Sequence, residues 1–331
     1  MRGMKIDRKK LKIRARQRMR DCRPGAMRVA LVYLLLTAGV SMLVGLLVPS
    51  PFTQYLVYTA MGVDPCLALT MSMGTTAAIS IFILVLVWLY TMVMGFGYSI
   101  WSLGTSRGEA TGYGTLISGF GMAWKVLRLR LFLVLLTFLW YLAVAIPVLL
   151  VMALLVSGLV FAGAYLGTDG VTYLSGWAGV AITVVMVVAF VVIMALMIRI
   201  MLRYALCDYT LLDQPEAGVL AAVRRSKELM QGRKWEYFKL QLSFVGWWLL
   251  TYVLILVPVL VCFLLAMASP LLAAVMMVWM LLLVFLLPLA LECWLLPYIC
   301  LTCAGYYNQL VGVDGPAHKE PEPPEWEFPS L

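Results

Sequence analysis

Six stretches of this chain, 27–48, 77–103, 131–155, 179–201, 240–267 and 271–296, are 22 to 28 residues of nearly unbroken apolar side chains. At 1.5 Å per residue, a helix of that length spans the ~30 Å hydrocarbon core of a bilayer. Inside lipid every backbone N–H and C=O needs an internal partner, so such a run has to be helical. Outer-membrane strands alternate apolar and polar residues, and these runs do not. The expected fold is all-α: a polytopic transmembrane helical bundle of about six spans. Composition agrees, with 63% hydrophobic and 12% charged residues, against about 45–50% and 25% in soluble domains. Pro147, Pro258, Pro288 and Pro297 lie within or at the ends of these runs and predict kinks. Gly95, Gly97 and the glycines at 158 and 163 offer small faces for close helix approach.

The net charge of +9 is unevenly placed. Twelve bases lie in residues 1–28. Arg107, Lys125, Arg128 and Arg130 follow the second span. Arg199 and Arg203 close the fourth, and Arg224, Arg225, Lys227, Arg233, Lys234 and Lys239 precede the fifth. Lys319 is in the tail, which completes all 25 bases. The intervening segments, 49–76, 160–178 and the turn at 269–270, carry only Asp64 and Asp169. Cations retained on one side predict a multi-pass membrane protein with both termini in the cytoplasm, and no nucleic-acid partner. Residues 271–311 are about 60 Å long as helix, twice the core thickness. They either continue into the cytoplasm past Pro297 or break near Pro288 and cross again.

Two basic segments stand out. Residues 1–26 read as a cytoplasmic amphipathic helix with a thin stripe of Ile6, Leu11 and Ala15, Ile13 and Met19 being nearby. Its Lys9, Lys10, Lys12, Arg14 and Arg16 suit an anionic leaflet, at about 1 kcal/mol each. The other reading is an unstructured segment that only orients the first span. Residues 213–232 predict an interfacial helix capped by Asp213 and Glu216 and ended by Gly232. Val219, Val223, Ser226 and Met230 share one face; Arg224, Arg225, Glu228 and Gln231 face away. It either lies flat on the membrane or is a solvated helix between spans. Arg233, Lys234, Trp235 and Tyr237 then crowd the mouth of the fifth span, and Trp101, Trp124, Trp247 and Trp248 read with Trp235 as interfacial anchors. A helix and basic junction before spans one, three and five (MRDCRPGAMR, GFGMAWKVLRLR, MQGRKWEYFK) suggests three hairpins. The Pro-rich tail, 312–331, is expected to be extended and disordered.

Little here suits catalysis. The one histidine, His318, is in the tail, and the seven cysteines lack framework spacing. Gly112 and Gly114 are followed by Ile117 where a dinucleotide fingerprint needs a third glycine. Ser226 and Ser243 have no base at a recognisable spacing. No catalytic, cofactor-binding or metal-ligating residue is expected, and no cofactor. Glu292 is the one carboxylate within a span, where a charge costs about 2.5–3.5 kcal/mol on insertion scales. It is placed to pair with Arg199 or Arg203; snorkelling to the interface and a transport role are the alternatives.

The chain resembles the bacterial integral membrane proteins of domain-of-unknown-function family 975. The likeness rests on LKIRAR at 11–16, Ser-Gly-Phe at 118–120, and a central block. That block is Asp213, Pro215, Ser226, Met230, Gly232, Phe238, Leu242, Ser243, Phe244, Gly246 and Trp247. Pro297, Tyr298, Tyr306 and Tyr307 resemble the family's closing segment. Gln214 stands where the family often has Asn, and Asn308 and Gln309 where it has acids. The resemblance implies a multi-span protein without an assigned activity, distantly similar to the membrane portion of some glycerophosphodiesterases. The expected role is a non-enzymatic scaffold or envelope protein that binds anionic lipids, or a membrane or cytoplasmic protein partner, through its basic helices. A small transporter, channel or lipid-handling permease is the second reading and an intramembrane enzyme the third.

Overall fold

The computed structural model describes residues 7–48, 51–268 and 270–313. The expected disordered tail from 314 onward, Ile6 of the apolar stripe and Ser269 of the tight turn lie outside the described residues. All regular structure in the described residues is helical. In chain order come α1 (Arg8–Asp21), α2 (Ala26–Leu34), a π turn (Leu35–Gly39), α3 (Val40–Leu47), α4 (Pro51–Ala60), α5 (Pro65–Ser72) and α6 (Thr75–Arg107). Then follow α7 (Gly114–Ser118), a 3-10 turn (Gly119–Met122), α8 (Ala123–Tyr204), α9 (Cys207–Asp213), α10 (Gly218–Leu229), α11 (Lys234–Leu242), α12 (Val245–Ala268) and α13 (Pro270–Val311). Six stretches are long and apolar enough to cross a membrane: Ala26–Ala60, Ala78–Arg107, Gly114–Leu154, Thr183–Asp213, Lys234–Leu265 and Leu283–Val311. This is a multi-pass membrane protein.

The chain forms two compact units, one of Met1–Leu127 with Lys239–Leu331, the other Arg128–Phe238. In the first, two pairs of spans run antiparallel. Tyr33 packs on Tyr98 with ring centres 4.6 Å apart, and farther along α2 the Leu36 carbonyl accepts from the Tyr90 hydroxyl at 3.0 Å. Leu36 sits in the π turn, where the wider helical ring leaves carbonyls open to such a donor. In the second pair, Gln241 Nε2 donates to Cys303 Sγ at 3.3 Å, Phe244 meets Tyr298 edge-on at 5.3 Å, and Trp247 meets Trp294 at 5.0 Å. Partner numbers fall as the chain advances, which is the signature of an antiparallel hairpin.

In the second unit, α8 keeps helical hydrogen bonding over 82 residues, so the expected loop at 160–178 is helical. Pro147 is its one internal proline, and beyond it every N–H can hold an i−4 partner. Yet Arg130, near its start, reaches Asp208, just past its end, with 2.5 Å between Nη2 and Oδ2. A straight helix would hold those ends about 110 Å apart. Its two ends therefore meet, which pairs the apolar stretches on either side as the third hairpin.

The core of the first unit lies at one end of the helices. Leu295, Tyr298, Leu301, Thr302, Ala304, Tyr306 and Asn308 on the C-terminal half of α13 are all buried, and α1, α2, α6 and α12 pack around that helix. Farther along the same helices, Phe82 on α6 is 63% exposed and Phe263 on α12 is 61% exposed. Large apolar side chains left uncovered along a span are what lipid contact requires. α13 itself runs unbroken through Pro288 and Pro297, without the break considered near Pro288.

The glycine of Ser-Gly-Phe explains how the segment after the second span closes on α6. A Cβ on Gly97 would stand 2.0 Å from the Leu116 carbonyl oxygen, and one on Gly119 would stand 3.0 Å from the Gly97 nitrogen. Only bare backbone allows α7 and its 3-10 turn to lie so close on α6. The segment after the first span, expected as a loop, holds α4 and α5; Asp64 caps α5, its carboxylate accepting from Cys66 N at 2.9 Å, with Pro65 at the first helical position.

Two interfacial expectations change. Trp101 is fully buried beside Tyr98 in the core, not an anchor, whereas Trp124 and Trp235 are exposed. The apolar faces of the basic helices are covered by protein. On α10, Ala222, Val223, Ser226 and Met230 are buried and Arg224 and Arg225 exposed, as the periodicity predicts. That face packs on the unit's own helices: Thr210 Oγ1 on α9 donates to the Ala222 carbonyl at 3.0 Å, and Ser226 Oγ donates to the Arg203 carbonyl at 3.3 Å.

Candidate functional site

The N-terminal basic helix organises the site. Asp7 caps α1 by accepting from Lys9 N at 2.9 Å. Leu11 and Ala15, four apart, are 2% and 4% exposed. They seat α1 on α13 at Gly305, where an added Cβ would lie 3.4 Å from Leu11 Cδ2. The stripe expected on the bilayer surface is therefore in a protein groove, and Ile13 alone stays exposed.

Docking turns part of the cationic face inward. Lys12 Nζ sits 4.4 Å from the centre of the Phe244 ring and donates to the Ser243 carbonyl at 3.5 Å. Arg16 lies over the Tyr298 ring at 5.2 Å. Such contacts are worth roughly 0.5–2 kcal/mol according to how dry they are. Burial, then the Arg16 and Arg8 charges, push the Lys12 ammonium below its ordinary pKa. Lys9, Lys10 and Arg14 remain exposed.

Beside this contact opens a cleft of about 670 Å³. Arg16 and Arg20 enter from α1, Met27 and Arg28 from the start of α2, and Trp247 and Trp294 form the far wall. Among the described residues no carboxylate lines it and none of the three arginines makes an ion pair. Gly25, the N-cap of α2, also lines it and offers no side-chain acceptor to the first backbone N–H groups. Sequence reasoning named Arg16 but missed Arg20 and Arg28. The signal was the i, i+4 spacing of the first two, with a Pro-Gly turn bringing Arg28 back.

In the other unit, Arg224 and Arg225 are exposed and Arg233 and Lys234 half-buried. Arg225 meets Glu228 at 3.5 Å, a pair too exposed to contribute much. The expected cap is placed differently. Asp213 is the last residue of α9, and Ala217, at the N-cap of α10, makes no side-chain cap bond. Pro215 and a positive φ of 83° at Gly218 set the two helices apart, so Asp213 cannot serve as the N-cap of α10. Gly232, at φ 77°, follows the end of α10 as expected. Glu292 is half-buried on α13 in the first unit, and Arg199 and Arg203 end α8 in the second. The Arg130–Asp208 pair, 78 residues apart in sequence, escaped the sequence reading altogether.

The match of a family profile to residues 4–313 is decisive. The chain belongs to the family described as Protein of unknown function (DUF975). No characterised protein and no solved structure matches it, and the likeness to glycerophosphodiesterases has no counterpart there. Several residues that carry the DUF975 likeness now have physical roles. Gly119 permits the α6 contact, Ser226 ties α10 to the Arg203 carbonyl, and Phe244 and Tyr298 receive the cations of α1.

Proposed function

We propose that this DUF975 chain is a non-enzymatic protein of a bacterial plasma membrane, with both termini in the cytoplasm, whose basic surface holds anionic lipid. One observation carries the reading: the most basic helix of the chain is fixed on α13 by Leu11 and Ala15, with Lys9, Lys10, Arg14 and Arg20 left exposed. A fixed array of cations attracts a negatively charged leaflet without the entropy cost of ordering a loose segment. The lack of bases between the first and second spans and between the third and fourth supports the orientation. A protein partner with an acidic surface would use the same charges.

Lipids that co-purify with the protein test this, measured by mass spectrometry against the bulk membrane. Enrichment in anionic over zwitterionic lipid is expected, falling when Lys9, Lys10 and Arg14 are all changed to Gln. Co-purified lipid of bulk composition would remove the lipid reading.

A further inference from the structure

We propose that the cleft between α1 and α2 is a seat for the phosphate diester of an anionic phospholipid. The proposal deepens, and rests on, the lipid reading above. Arg16 and Arg20 are one helical turn apart, a like-charge spacing that disfavours an isolated helix. Arg28 adds a third guanidinium from the neighbouring helix, and among the described residues no carboxylate lines the space to offset them. The start of α2 points the positive end of its dipole at the same place, with no side chain at Gly25 to accept from its first N–H groups. Forked guanidinium donors and helix N–H groups are the groups that hold phosphate oxygens.

The far wall says which phosphate. Trp247 and Trp294, tilted by 55° with ring centres 5.0 Å apart, carry the aromatic surface on to Tyr298. Paired indoles beside a cationic cleft suit the glycerol and first methylenes of a lipid, with the headgroup among the arginines. A cleft of about 670 Å³ holds such a headgroup. Inorganic phosphate shares the anion chemistry but gains nothing from the tryptophan wall.

The test uses the full chain in a neutral detergent and follows its thermal unfolding. Phosphatidylglycerol, phosphatidylcholine or inorganic phosphate is added to wild type, to Arg20→Gln/Arg28→Gln and to Arg224→Gln/Arg225→Gln. Arg20 and Arg28 are exposed, so both variants should melt like wild type without lipid. The expected result is a midpoint raised by phosphatidylglycerol alone, with apparent affinity at least about tenfold weaker in the Arg20/Arg28 variant and unchanged in the other. Equal phosphatidylglycerol response in all three proteins overturns the cleft and leaves the broader lipid reading standing. No difference between phosphatidylglycerol and phosphatidylcholine in wild type overturns both. Full stabilisation by millimolar inorganic phosphate overturns the lipid as the ligand.

Discussion

Arg107 Nε donates to Asn308 Oδ1 at 3.1 Å, joining the last turn of α6 to the end of α13 across 201 residues of sequence. The same amide donates Nδ2 to Ser106 Oγ at 2.8 Å, and that hydroxyl passes its own proton to the Leu103 carbonyl at 2.7 Å. Asn308 is 3% exposed, so these bonds have little competition from water. Removing them by Asn308→Leu should cost about 1–3 kcal/mol. Asn308→Asp should keep most of the stability, since a carboxylate accepts from both Arg107 and a rotated Ser106 hydroxyl. Unfolding midpoints in detergent for the two variants distinguish them; equal losses would show that Arg107 contributes nothing here.

Gly97→Ala sets a methyl 2.0 Å from a backbone oxygen, which no rotamer can relieve. The contact of α6 with α7 must open, at a cost of about 3 kcal/mol, the upper end of overpacking. Gly112→Ala, with nothing within 4 Å of its new carbon, is the control and should be neutral. Matching midpoints for the two would mean that the helices do not approach this closely.

Arg130 and Asp208 close the hairpin of the second unit, at 32% and 20% side-chain exposure. Breaking one partner leaves the other charge half-buried, so Asp208→Asn should cost about 1–3 kcal/mol. Arg130→Asp with Asp208→Arg should recover part of that loss. A double-mutant cycle with zero coupling energy would show the pair to be idle.

Sidedness is open to direct test with thiols. Cys66 is exposed in the segment between the first two spans. A membrane-impermeant maleimide applied to intact cells should label it. Asp169→Cys, between the third and fourth spans, should label likewise. Labelling of either only after permeabilisation would invert the proposed orientation.

Much of the fold was legible in the sequence because lipid leaves the backbone few choices. Apolar length alone gives six spans, and the 3.6 period of Ala222, Val223, Ser226 and Met230 marks the inner face of α10. What those faces pack against was not legible. Leu11 and Ala15 suit a bilayer surface as well as a groove beside Gly305, since burial rewards both alike. Trp101 read as an anchor because an indole near a span end usually is one, and the aromatic neighbours that enclose it come from other helices. The cap assignment failed on local geometry: Pro215 and Gly218 offered a break that a capping pattern of the same letters conceals. Asp208 and Asn308 carry no motif, and their partners lie 78 and 201 residues away.

The seat of α1 is assembled last. Leu11 leaves the ribosome 294 residues before Gly305, and at 5–20 residues per second that interval is about 15–60 s. Through that time the first helix has a sticky stripe, a dozen nearby cations and no groove to enter. On the proposed orientation and lipid reading its resting place in the meantime is the inner leaflet, so the chain would begin life tethered by the very helix that later locks its far end in place.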